Sequence, residues 1–200
     1  MFANTFYEKT DFSGWQLEGQ SLDKLEFIEC DFSHAILTDT CISHCRFDRC
    51  KFNGAKLNGA EIKLSAFTNC RFLYANLFDT MFENCKMTGS SIAGTDASCI
   101  RIISGDWSYC DLRGVDLSKM ELNAVNFSGS DLRECKLEKS NIRNCKFDGA
   151  MLTNASFRGS DLRDSSIDNI DILHVDLKNT KIDLEQAVSI ASALGCKYSP

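Results

Sequence analysis

The stretch CKFNGAKLNGAEIKLSAFTN, residues 50–69, decides how this chain is read. Large apolar residues stand five apart in it: Phe52, Leu57, Ile62 and Phe67. Two residues before each is a small one (Cys50, Ala55, Ala60, Ser65), and the immediate neighbours are mostly polar or charged. A helix repeats its apolar face every ~3.6 residues and a strand every second residue, so neither carries a period of five.

The same phase runs along most of the chain. Stepping by five from Phe12 to Ile182 gives 35 positions, all large and apolar except Ala97, and Phe2 and Tyr7 extend the phase backwards. With the central residue written i, ten of the twelve glycines fall at i+2. Glycine there tolerates the positive φ that some corner turns need. Eight of the eleven cysteines (Cys30, Cys45, Cys50, Cys70, Cys85, Cys110, Cys135 and Cys145) fall at i−2, exchanged with Ala, Ser and Thr. That is cysteine used as a small buried residue. The run CISHCRFDRC (41–50) resembles part of a zinc site in isolation, but in phase it is scaffold. Cys45 and Cys50 fill different corners and do not converge as tetrahedral ligands must. No metal and no cofactor is expected.

Composition narrows the function. The formal net charge of −6 argues against direct nucleic-acid binding, which calls for a basic face. No apolar run approaches the ~20 residues of a membrane span. The opening MFANTFYEKTDF lacks the basic and apolar regions of a secretory signal, so a cytoplasmic protein with reduced thiols is expected. His34, His44 and His174 fall at separate i+2 positions, and no nucleophile–base set can be assembled from them. Gly89 and Gly94-Thr95 have the spacing of a phosphate loop without its lysine. No enzyme is expected.

The unit small–polar–Leu/Phe–polar–Gly is clean in AKLNG (55–59), CDLRG (110–114) and SDLRD (160–164). It resembles the repeat of the pentapeptide-repeat proteins. That resemblance implies an all-β solenoid, a right-handed quadrilateral β-helix with four pentads to a coil. About nine coils over residues 11–182 would make a rod roughly 40 Å long. Residues 1–10 are then an N-terminal cap, and residues 183–200 a C-terminal dimerisation helix and tail.

Three departures from the repeat are the candidate functional features. Around 93–101, Ala97 is small where a large residue is due and Ile100 is large where a small one is due. A small loop or distorted coil is expected there, with Ala93, Gly94, Asp96 and Ala97 as candidate contacts. Leu73, Phe78 and Met81 are apolar residues off the inner columns, a candidate partner patch. After Ile182, DLEQAVSIASALG (183–195) places Leu184, Ala187, Val188, Ala191 and Leu194 at helical spacing. Asp183 and Gln186 have the spacing of a capping box, and Gly195 suits a C-terminal cap. With Ile170, Leu173 and Val175, this helix is expected to form a two-fold dimer interface.

ASFRGSDLRD (155–164) and IDILHVDLKNTKIDLEQAVSIASALG (170–195) are similar to the Qnr type of quinolone-resistance protein. The second segment and FENCKMTG (82–89) are also similar to the albicidin-resistance type. These resemblances imply a partner, DNA gyrase or topoisomerase IV, protected from topoisomerase poisons by a dimeric, DNA-shaped rod. Asp111, Asp131 and Asp171 are expected to form an acidic strip on one face. A duplex of that length carries on the order of 50 charges, against a formal −12 for two copies of this chain, so shape has to contribute. The chain departs from the Qnr type in leaving no room for two projecting loops. The other reading is a structural or interaction module with no topoisomerase link.

Overall fold

The computed structural model describes residues 2–197. The chain winds into a four-sided parallel β-solenoid closed at its C-terminal end by one helix. Strands β1 (Phe6–Glu8), β3 (Glu26–Ile28), β5 (Arg46–Asp48) and β7 (Ala66–Thr68) stack on one side. Strands β2 (Ser21–Asp23), β4 (Cys41–Ser43), β6 (Glu61–Lys63) and the first half of β8 (Met81–Lys86) stack on the next, followed by the first half of β9 (Arg101–Asp106); the ends of β8 and β9 turn the corner onto the first side, where β10 (Val125–Asn126) pairs with Gly105 and Asp106. Partners are twenty residues apart, as in Tyr7↔Phe27↔Phe47↔Phe67. On the other sides the ladder consists of single bridges, such as Asp11↔Asp31↔Lys51↔Arg71↔Ser91↔Asp111↔Asp131↔Met151; the side of β2 also continues in single bridges, from Glu121↔Asn141 to Asp161↔Lys181.

The corners explain the pentad. Each i+2 residue from Lys9 to Asn169 has a positive φ. The left-handed conformation is therefore required at all these corners, and not only where glycine occurs. Most of these residues are not glycine; Leu64 (φ 49°) and Tyr74 (φ 58°) are examples. Such strain persists where the surrounding structure over-determines it. Aspartate at i−1 helps: Asp11, Asp31 and Asp116 each accept a hydrogen bond from the i+1 amide at 2.8–2.9 Å.

The central residues fill a continuous core. Phe12, Phe32, Phe52 and Phe72 stack at 4.9–5.1 Å, and Phe27, Phe47 and Phe67 at 4.5–4.9 Å on the adjoining side. The two stacks meet edge-on or tilted. The weak position, Ala97, is matched within its own coil. Its inward residues are Ile92, Ala97, Ile102 and Trp107, so the largest side chain of the core stands on the side opposite the smallest. Trp107 is fully buried, and its Nε1–H has no hydrogen-bond partner.

Both ends are sealed by side chains. The ladder begins at Phe6, inside the stretch expected as a cap, and Phe2 packs on Tyr7, Phe12, Trp15 and Phe27. At the other end α1 (Leu184–Ala193) starts at Asp183 in a complete capping box with Gln186. Asp183 Oδ2 also accepts the Asp164 amide at 2.9 Å, taking the place of a rung that the next coil would supply.

Candidate functional site

The expected acidic strip is not a bare row of charge. Asp111 and Asp131 are neighbouring rungs, but Met151 follows, and no rung joins it to Asp171. Each of the two carries its own guanidinium. Arg113 donates to both oxygens of Asp111 (2.8 and 2.9 Å), and Arg133 to both oxygens of Asp131 (2.8 and 2.6 Å). Arg163 grips Asp161 in the same way. These hydrogen bonds hold all three carboxyls below the usual range, Asp161 at about 2. The signal was present in the sequence as a recurring Asp-Leu-Arg: residues i−1 and i+1 of one strand share a face. Asp171 lies 3.3 Å from His174 Nδ1 at an exposed corner.

The apolar candidates divide. Leu73 and Phe78 are about half exposed, with the more exposed Tyr74 between them. Met81 is buried and unavailable as a contact. It lies between Glu61 and Arg101 on the ladder, and Arg101 reaches back to Asp79 Oδ1 at 3.3 Å. Leu64 belongs to a different corner from Leu73 and Phe78, so the exposed apolar residues make no single patch with it.

The region of residues 93–105 keeps the twenty-residue phase and projects no loop: Asn76↔Asp96 and Met81↔Arg101 are regular rungs. Gly94 and Asp96 are exposed and Ala93 half-buried, whereas Ala97 is buried as an inward residue and cannot touch a partner. The disturbance lies on the C-terminal side of this coil. Ile92 N–H donates to Asp111 O (3.0 Å) and Trp107 N–H to Asn126 O (2.8 Å), but among the described residues no hydrogen bond joins residues 94–104 to residues 113–124. Elsewhere the amides at i and i+2 donate across such a gap, as Phe32 does to Lys51 O (2.7 Å) and His34 to Asn53 O (2.9 Å). The cause is readable in one corner column. It runs Thr40, Ala60, Thr80, then Ile100 and Met120, then Ser140 and Ser160. Two large side chains stacked in slots built for small ones wedge the coils apart. Both residues stand at i−2, where the repeat calls for a small one, so each is a misfit in the sequence; that they stack on one another needed the twenty-residue step.

At the C-terminal end, Leu173, Leu184 and Leu194 are well exposed, and Ala187, Val188 and Ala191 are half-buried. Ile170 and Val175 lean on the core. The helix docks through a residue outside the expected apolar face. Gln186 is buried, and its Nε2 donates to Leu162 O and Ser165 O at 2.7 Å each. The last coil ends in carbonyls, which need a donor and not a leucine.

The i−2 cysteines are buried, and burial pushes the Cys45, Cys85 and Cys145 thiols up to about 11, and those of Cys110 and Cys135 to about 12. His44 Nδ1 lies 3.1 Å from Asp23 Oδ1. Cys41, Cys99 and Cys196 are exposed. No helix among the described residues is long and apolar enough to cross a membrane.

A family model described as "Pentapeptide repeat region" matches residues 20–97 and 100–182. The chain belongs to the pentapeptide-repeat family. It is similar in structure to QnrB1, a plasmid-mediated fluoroquinolone resistance protein. A trypsin-treated variant of QnrB1 aligns over 98% of this chain and 97% of its own, at 25% identity and a TM-score of 0.85. Full-length QnrB1 aligns over 96% of this chain and 100% of its own, at 24% identity and a TM-score of 0.81. Among curated proteins no sequence match is found.

Proposed function

We propose that this chain is a topoisomerase-protecting protein: a rod, dimeric through its helical C-terminal ends, that binds DNA gyrase or topoisomerase IV and counters a topoisomerase poison. The observation that carries this reading is the end-to-end correspondence with QnrB1, a fluoroquinolone resistance protein. The exposed leucines at the C-terminal end support the dimer: Leu173, Leu184 and Leu194 all remain exposed there, outside what the cap buries. The phase holds without an inserted loop, so contact falls to the faces of the rod. Those faces are only locally acidic, because arginines neutralise Asp111, Asp131 and Asp161. Shape therefore contributes more than charge. That same neutralisation favours the second reading, an interaction module that never meets a topoisomerase.

Supercoiling and cleavage assays with purified gyrase, with and without a quinolone or albicidin, separate the two. Protection or inhibition at micromolar protein is expected; neither effect at that concentration would refute the topoisomerase reading. Leu194→Asp is expected to give monomers by light scattering and to weaken protection, and an unchanged mass would refute the dimer.

A further inference from the structure

The opened ladder forms a cleft of about 430 Å³ lined by Cys99, Ile100, Arg101, Ile102 and Ile103 on one lip and by Ser118, Lys119, Met120 and Glu121 on the other. Its size falls within the ~300–1,000 Å³ of ligand clefts. We infer that this cleft is a binding site for a small amphipathic carboxylate, with its apolar chain between the coils and its charged end at the corner.

Three independent features meet there. The interior is apolar, with Ile100 and Ile102 beneath Met120 and Ile103 beside them. The corner carries two cations, one per lip. Lys119 makes no ion pair among the described residues; Arg101 lines the other lip but its guanidinium reaches back one coil to Asp79 (3.3 Å), a single exposed contact that a carboxylate in the cleft can replace. Glu121 is held by Asn141 Nδ2 at 2.8 Å, away from both. Finally, backbone donors that the ladder pairs in other coils find no partner across the gap, and three of them belong to residues lining the cleft: Cys99 and Ile102 on one lip, Glu121 on the other. A carboxylate accepts from both kinds of donor with the added strength of charge; a hydroxyl accepts without that charge, and an ammonium does not accept at all. The coils are hydrogen-bonded again at both ends of the gap, at Ile92–Asp111 and Trp107–Asn126, so the open stretch is short and takes a small ligand. Nothing in this inference depends on the topoisomerase reading.

The test is an amide NMR titration of the full chain with octanoate, octanol and octylammonium. Saturable shifts are expected at residues 97–104 and 116–124, with octanoate bound about tenfold more tightly than octanol, equivalent to ~1.4 kcal/mol. The pair Arg101→Gln and Lys119→Gln should bring the two affinities together. Met120→Ser restores the small corner residue found at Ser140 and Ser160; it should abolish binding and slow amide exchange along both lips. Lys119→Gln alone, an exposed substitution, should lower the octanoate preference even where Met120→Ser fails to fold. Absence of saturable shifts, shifts confined to another region, or equal affinity for all three probes would overturn the proposal. An octanoate preference unchanged by both charge substitutions would do the same.

Discussion

Ala97 and Trp107 are expected to be energetically coupled across the width of one coil. Ala97→Leu adds three heavy atoms to a filled interior, which costs about 1–3 kcal/mol through overpacking. Trp107→Phe removes part of a fully buried ring and loses contact enthalpy. It also removes the unpartnered Nε1–H, and relief of such a group returns about 1–3 kcal/mol. The two terms oppose, so this single change should cost no more than about 2 kcal/mol. In the double variant the coil presents isoleucine, leucine, isoleucine and phenylalanine on its four sides. Those are nearly the same sizes in the same order as Leu112, Leu117, Leu122 and Phe127 one coil on. The double variant should be at least as stable as the natural chain, with a favourable coupling of about 1–3 kcal/mol. Urea unfolding followed by circular dichroism on the four proteins of the cycle measures this. Additivity within ~0.5 kcal/mol, the scatter of independent sites, would show that Trp107 does not fill the space left at Ala97.

Gly105 stands outside the corner series with φ 118°, and an added Cβ would meet Cys85 O at 2.3 Å; Gly105→Ala should cost about 2–3 kcal/mol by denaturant melt, and a neutral effect would deny the close approach of β8 and β9. Gln186→Leu removes the donor to two carbonyls of the last coil, and a loss of about 2–3 kcal/mol with early fraying of α1 by hydrogen exchange is expected. In native protein a thiol reagent should modify Cys41, Cys99 and Cys196 rapidly and the eight buried cysteines only after denaturation, because burial denies access to all eight and raises the pKa of thiols such as Cys110 and Cys135; fast modification of more than three would contradict the packing. Asp111, Asp131, Asp161 and Asp183 all have folded pKa values below the ordinary carboxylate value. Their contribution is present above the unfolded value, about pH 4, and is lost as pH falls through the folded values, which for Asp161 is about 2. The melting temperature should drop across that window, and a flat profile would refute the pairings.

The fold was legible because the pentad is a local device. An inward Leu or Phe, a small residue two before it and a left-handed corner two after it are all set within five residues, and the capping box of Asp183 and Gln186 within four. The Asp-Leu-Arg forks were legible in principle as well, since two residues of one strand make each of them. What five residues do not contain is the stacking of coils, which depends on pairing between residues twenty apart. Only that stacking set Ile100 under Met120, opened the ladder between 94–104 and 113–124, and buried Met81 between the rungs of Glu61 and Arg101. It also turned the inward face of the terminal helix to Gln186, because the end of a solenoid presents backbone carbonyls as well as apolar surface. The sequence by itself therefore determined the coil and its inner and outer residues. The tertiary structure decided which outer residues remain available, because exposure on a solenoid is a property of the column and not of the repeat.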